Sequence, residues 1–208
     1  MTTFTALSDT TLSQDKPLTQ SITRALRDNP KALAEGDITA PEMVGVSPMY
    51  RADASNTAAL VFMNLPDAYD LLEFDFVHIY PTSYTSTLIM EVSTDNGATW
   101  LSTGYQMADD SGSASSSSWP LTGTSNTFNT VPVVHSINGR LRTMNFSSST
   151  IYKQMEGQFF WTSSAPSLVR KRFIGHMDLT TKITAVRFRF NTGNIATGYI
   201  TMRRVRPN

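Results

Sequence analysis

Residues 86–105 read STLIMEVSTDNGATWLSTGY. Leu88, Met90 and Val92 alternate with Ile89, Glu91 and Ser93, and Thr99-Trp100-Leu101 follows Asp95-Asn96-Gly97. Period-2 apolar spacing on both sides of an Asn-Gly pair is a strong local signal for two antiparallel strands joined by a tight turn. Asn and Gly tolerate the positive φ that such a reversal needs. The expectation is a hairpin pinned by Asp95, Gly97 and Trp100, with β-strands before and after it over most of the chain.

Working outward, candidate strands fall at 58–64, 72–80, 87–94, 99–105, 129–137, 140–147, 157–163, 169–177, 182–190 and 198–205. The cleanest alternation sets Phe74, Phe76 and His78 against Asp75, Val77 and Ile79, and Val186, Phe188 and Phe190 against Arg187 and Arg189. Asn138-Gly139 reads as a second hairpin turn and Gly193-Asn194 as the turn of the last pair. Short strands punctuated by Gly, Pro and Asn, with no helical pattern among them, predict a mainly β chain. Its fold class is a jelly-roll-like antiparallel β-sandwich. Residues 106–128 (QMADDSGSASSSSWPLTGTSNTF) read as one long Ser-rich loop.

Upstream, residues 1–14 are polar with three spaced apolar residues and read as an extended arm. Asp15-Lys16-Pro17 then opens a helix, because Asp caps free N–H groups and Pro suits the first turn. Leu18, Ile22, Ala25 and Leu26 form one apolar stripe, and Asn29-Pro30 is expected to end the helix. A helix of about 12 residues is marginal alone, so this one must dock on something. The organisation predicted is an arm and anchor helix at 1–41, a linker at 42–57 carrying Gly45 and Pro48, and a sandwich at 58–208.

The chain has 208 residues and no cysteine, which excludes disulfides and thiolate metal sites. Its start, Met1-Thr2-Thr3-Phe4, shows no basic region followed by an apolar core, so no signal peptide is expected. No apolar run approaches the ~20 residues of a membrane span. The net charge is zero, yet residues 1–70 hold 5 basic and 9 acidic side chains, 71–138 hold none and 6, and 139–208 hold 12 and 2. Either basic and acidic strands lie side by side within the fold, or oppositely charged faces of neighbouring subunits meet. Overall neutrality lacks the electrostatic footprint of nucleic-acid binding.

Ser93-x-Asp95-x-Gly97-x-x-Trp100 resembles the Asp box of sialidase-like propellers, a structural staple that recurs once per blade. One copy in a chain too short for the blades reads as a turn device, with no sialidase activity implied. His78, His135 and His176 show no metal-ligand spacing, and no P-loop, dinucleotide fingerprint or nucleophile elbow is present. Glu73 and Asp75 share one strand face as a conceivable glycosidase pair, but nothing in the sequence raises either pKa. No enzyme activity, metal or cofactor is expected. Trp119, Tyr105, Tyr84 and Phe128 flank or occupy predicted loops and are candidates for stacking on a host-surface glycan; for Trp119 the commoner role of such a residue is to anchor its loop to the sandwich. Arg170, Lys171, Arg172, Arg203, Arg204 and Arg206 are candidates for contact with an anionic saccharide or an acidic neighbouring subunit, or for facing water.

The segments Asp15-Lys16-Pro17-Leu18-Thr19-Gln20-Ser21, Ala25-Leu26-Arg27-Asp28-Asn29-Pro30 and Ala34-Glu35-Gly36 resemble the opening of certain small tailed-bacteriophage virion proteins. In these, a KPLT…ALRDNP…AEG segment precedes a variable β-domain. The resemblance covers about the first 36 to 41 residues. It implies a virion component made in the host cytoplasm, whose N-terminal helix docks on the particle while the sandwich is displayed outward, often as a homotrimer. Head spike, capsid decoration and tail fibre all remain open, and the implied partners are the chain itself and other virion proteins. The alternative from the residues alone is a free carbohydrate-binding module with Trp119 and Tyr105 as its platform, or, further off, a glycan-degrading enzyme using Glu73 and Asp75.

Overall fold

The computed structural model describes residues 5, 20–35, 49–66, 71–83, 85–109, 112–122, 136–162 and 168–205. The chain divides into two units, Met1–Tyr50 and Arg51–Asn208.

Among the described residues of the first unit is one helix, α1 (Gln20–Glu35), with Pro30 inside it. The expected stop at Asn29-Pro30 is therefore overrun, with the rung that the Pro30 nitrogen would donate missing. Asn29 explains part of the pattern by another route. Its side-chain amide donates to the Thr5 carbonyl and accepts from the Thr5 N–H, each at 2.9 Å, which pins the arm at that point. Ile22 and Ala25 are buried, while Leu26, assigned to the same stripe, is 53% exposed. Leu18 lies outside the described residues.

Among its described residues the second unit is all β. β1 (Met49–Thr57), β3 (Leu71–Pro81), β5 (Tyr105–Asp109), β6 (Gly112–Ser116), β8 (Ile137–Met144), β9 (Lys153–Thr162), β10 (Leu168–Met177) and β12 (Ile195–Val205) form one sheet. β2 (Leu60–Phe62), β4 (Leu88–Ser93), β7 (Trp119–Pro120) and β11 (Ala185–Phe190) form the other. The orders are β1-β12-β3-β8-β9-β10-β5-β6 and β2-β11-β4-β7. Apart from the β8-β9-β10 meander and the β5-β6 hairpin, the chain changes sheet after each strand, so sequence neighbours are seldom sheet neighbours. The mainly β, sandwich-like antiparallel architecture is as the alternation predicts, but β1 occupies much of the stretch read as a linker at 42–57. Beyond Tyr50 its alternating positions are Ala52 and Ala54, which lack the bulk that marks a strand.

The core is aromatic. Phe62 and Phe188 on the small sheet meet Phe74 and Phe76 on the large one, edge to face, with Phe62–Phe74, Phe74–Phe188 and Phe76–Phe188 centroids at 5.5, 5.1 and 4.9 Å. Such pairs add about 0.5–1.5 kcal/mol each beyond simple burial. The alternation in β11 holds as read. In β3 it reverses at His78, which has φ 56°, so that His78 faces solvent and Ile79 is buried. The irregularity is built across two strands. The His78 N–H donates to Asn138 Oδ1 at 2.9 Å, and Gly198 (φ +106°) leaves room where a Cβ would sit 2.3 Å from the His78 carbonyl oxygen.

Three turn assignments need correction. Asn138-Gly139 is not a turn but lies inside β8; Asn138 serves the β3 bulge, and a Cβ at Gly139 would come within 2.6 Å of the Phe159 ring. Gly193-Asn194 reverses the chain, but β11 and β12 belong to different sheets. The Asp95 turn forms without the hairpin: β4 pairs with β11 and β7, and residues 99–104 carry no strand.

Lys153 is fully buried. Its ammonium donates to the carbonyls of Ser148, Ile151 and Thr180, replacing the water shell a buried charge must otherwise lose.

Candidate functional site

The Asp95 turn is a structural staple. Its carboxylate accepts from Ser93 Oγ, the Thr99 N–H and Thr99 Oγ1 at 2.6, 2.8 and 2.5 Å. These bonds, Ser93's foremost, lower its pKa to about 2. Gly97 (φ +89°) sits over the Trp100 ring, and the Arg187 guanidinium lies 4.5 Å from the centre of that ring. Its hydrogen bonds run within the turn and to neighbouring segments, as a staple requires.

Within the stretch read as a Ser-rich loop, the described residues include β5, β6 and β7, and Trp119 and the adjoining Tyr105 belong to the core. Trp119 is 0% exposed. Its indole N–H donates to the Gln106 carbonyl at 2.9 Å, and its ring meets Tyr105 edge-on at 4.8 Å. The Tyr105 hydroxyl accepts from the Val92 N–H and donates to the Leu101 carbonyl, and burial drives its pKa up to about 12. Trp119 and Tyr105 therefore cannot form a sugar-stacking platform. Tyr84 and Phe128 lie outside the described residues.

Part of the charge division along the sequence is met inside the chain. Of the acidic side chains in 71–138, Glu73 bonds Arg142 and Arg203 at 2.5 and 2.6 Å, and Asp75 bonds Arg140 at 2.8 Å. Glu91 bonds Arg187 and Arg189 at 2.6 and 2.7 Å, and Asp109 bonds Lys171 at 2.8 Å. Arg203 and Lys171, listed by sequence as interface cations, are thus held by their own chain. Arg204 is buried, its neighbours on β12 alternating to the opposite face, and Arg206 lies outside the described residues. Burial alone would raise the pKa of Glu73, but the bonds and charges of Arg142 and Arg203 outweigh it and the net shift is downward. That is opposite to what a glycosidase general acid requires.

What remains open is the outer face of the large sheet. A groove of about 1070 Å³ crosses β3, β8, β9, β10 and β5, and a second hollow of about 390 Å³ continues it past Ile174 to His176 and Gln106. The register sets out its floor in rows. Asp75, Arg140, Gln158 and Arg172 stand side by side, as do Asn138, Phe160 and Arg170 in the next row. On the inner side of these strands, a Cβ at Gly157 or Gly175 would lie 2.5 Å from the Phe173 ring or the Met155 side chain. The sheet settles onto its core there, and the groove opens on the other side. Phe160 is 44% and Ile174 64% exposed. Arg172 donates to Gln158 Oε1 at 3.1 Å and has no carboxylate partner among the described residues; the same holds for the exposed Arg170.

Of the sequence candidates, Arg172 and Asp75 line this groove, and Arg170 stands beside it, next to Phe160 on β10. Phe160, Gln158 and Arg140 were missed, though Phe159-Phe160-Trp161 carried a signal: three consecutive aromatics in a strand cannot all face the core. His176 lies at the far end, 3.5 Å from Asp178. His135 lies outside the described residues. Among the described residues no cluster of His, Asp and Glu could hold a metal, and no helix is long and apolar enough to cross a membrane. No protein-family model, curated protein or solved structure matches the chain.

Proposed function

We propose that this chain is a bacteriophage virion structural protein, which binds the particle through residues 1–36 and presents the sandwich at the surface for contact with the host. The observation that carries the reading is the coincidence of the KPLT…ALRDNP…AEG segment with a unit of its own, separate from the sandwich unit beginning at Arg51. The exposed Leu26 gives that unit an apolar contact to offer a partner. Glu73 and Asp75, the carboxylates that a glycan-degrading reading would use, are tied to arginines. Head spike, capsid decoration and tail fibre fit equally, with the homotrimer implied by the resemblance.

Deletion of residues 1–36 tests the assignment. The truncated chain should keep the β-type circular dichroism and cooperative melting of the full chain but no longer co-sediment with particles. Undiminished incorporation of the truncated chain would overturn the anchor, and with it the virion reading of this segment.

A further inference from the structure

We infer that the outer groove of the large sheet binds an acidic saccharide, one whose sugar units carry carboxylates. The inference names the ligand class for the host-contacting part of the proposed function, and rests on that reading only for its biological setting.

The argument starts from what the groove leaves unsatisfied. Along the row through Asp75, the carboxylate is taken by Arg140 and approached by Arg203 at 3.6 Å, so the floor on that side is neutralised. At the other end of the row the exposed Arg172 gives one N–H to Gln158 and has no carboxylate partner among the described residues. Arg170 stands two residues away on the same face of β10 and has no ion pair among the described residues. The wall over β10 therefore carries two positive charges without counter-charges, and an anion satisfies them. Guanidinium groups bind a carboxylate through paired N–H donors.

The second half of the argument concerns the shape of the anion's carrier. Phe160 lies directly beside Arg170, half-exposed on the outer face of the sheet. A pyranose ring offers an apolar C–H face to such a ring and hydroxyls at its rim. Gln158 beside Phe160, with Arg140 one strand further, places an amide and a guanidinium at that rim. An aromatic floor, an amide and two uncompensated guanidiniums within adjacent strands suit a carboxylated sugar better than a bare anion, which has no use for Phe160. They also suit it better than a neutral sugar, which leaves Arg170 and Arg172 uncompensated. A long groove, about 1070 Å³ plus its continuation, accommodates more than one sugar unit.

The test is titration calorimetry of the full chain with trigalacturonic acid and its methyl ester, and with α2,3-sialyllactose and lactose. At least one acid should bind saturably, and its neutral counterpart about tenfold or more weakly, as expected for loss of a charge-assisted contact. Arg172→Gln should lower affinity for the acid by a similar factor and leave the weak binding of the neutral sugar unchanged. Phe160→Ala should weaken both. Val61→Ala, on the outer face of the other sheet, should change neither. Because Phe160 and Arg172 are exposed, the variants should melt within a few degrees of the wild type, which separates lost binding from lost fold. Failure of both acids to bind, equal binding of acid and neutral forms, or full affinity in Arg172→Gln would overturn the inference. So would equal competition by dextran sulfate, which carries charge without carboxylates. Particle incorporation is read separately, so a chain that binds the acid but never joins a particle would refute the virion reading and leave this site standing.

Discussion

Glu73 and Glu91 are each held by two arginines on the outer face of a sheet, and the two clamps differ in what lies beyond them. Arg187 and Arg189 come from one strand, β11, and both close on Glu91. Trp100 covers Arg187, and Arg189 also donates to the Phe190 carbonyl. That cluster ends where it begins. Arg142 and Arg203 come from strands on either side of Glu73, and each reaches further, to Glu156 and to Asp75, both at 3.6 Å. That cluster is a lattice which continues into the groove. The same pairing of carboxylate and guanidinium ends within one cluster on one face and spreads charge across the other. On the small sheet it completes the surface, whereas on the large sheet it fixes the groove floor and leaves Arg170 and Arg172 over.

Removing each glutamate sharpens the contrast most. Glu91→Gln leaves two arginines, 24% and 31% exposed, facing one another with no carboxylate. The expected cost is about 2 kcal/mol, below the figure for a fully buried pair because water still reaches them. Glu73→Gln leaves arginines that are 46% and 40% exposed and have other acids within reach, so about 1 kcal/mol is expected. Urea unfolding followed by tryptophan fluorescence measures both. Equal costs, or a larger one at Glu73, would mean that the two clamps do not differ as described.

Acid should loosen both clamps. For Glu91, burial raises the pKa, but the bonds from Arg189 and Arg187 and their charges bring the net shift down, as at Glu73. A carboxyl whose folded pKa is depressed contributes stability above its unfolded pKa and loses it as pH falls through the folded one. Stability should therefore hold above the ordinary glutamate value of 4.5, then fall steadily below it, with Asp95 contributing down to about 2. The acid-induced loss should be shallower in Glu91→Gln than in the wild type, because that variant has one depressed carboxyl fewer. A melting temperature that rises on acidification below 4.5 would contradict the assignment.

Reading these faces from sequence alone succeeds where the rule is local. Arg187 and Arg189 flank Phe188 in strict alternation, which places them outward and Phe188 inward, as found. It fails where the reason for a residue lies on a distant strand. Asn138-Gly139 looks like a turn by composition, yet Asn138 is there for His78, sixty residues earlier, and Gly139 for the ring of Phe159. Trp119 stands in a run of serines and looks exposed, yet it fills a space made by Tyr105, Phe146 and Gly175. The groove was half legible: Arg170 and Arg172 were visible as outward cations, but which of the basic residues lack an acid depends on strand order. Nothing local in the sequence shows that β3 lies between β8 and β12.

Salt provides the finest test of the difference between the clamps. Raising ionic strength to about 1 M shortens the screening length to about 3 Å, which acts on charges that water and ions can reach. The Glu73 lattice is more open than the Glu91 cluster, and its outer links at 3.6 Å are the weakest contacts in it. The cost of Glu73→Gln should therefore shrink by about half in high salt, while that of Glu91→Gln, sheltered by Trp100, should keep most of its value. The change expected is only a few tenths of a kcal/mol, so it requires paired denaturation curves of the variant and the wild type at each salt concentration. If both costs fall in proportion, Trp100 does not shelter its cluster, and the contrast between a closed face and an open one reduces to a difference in the number of acids nearby.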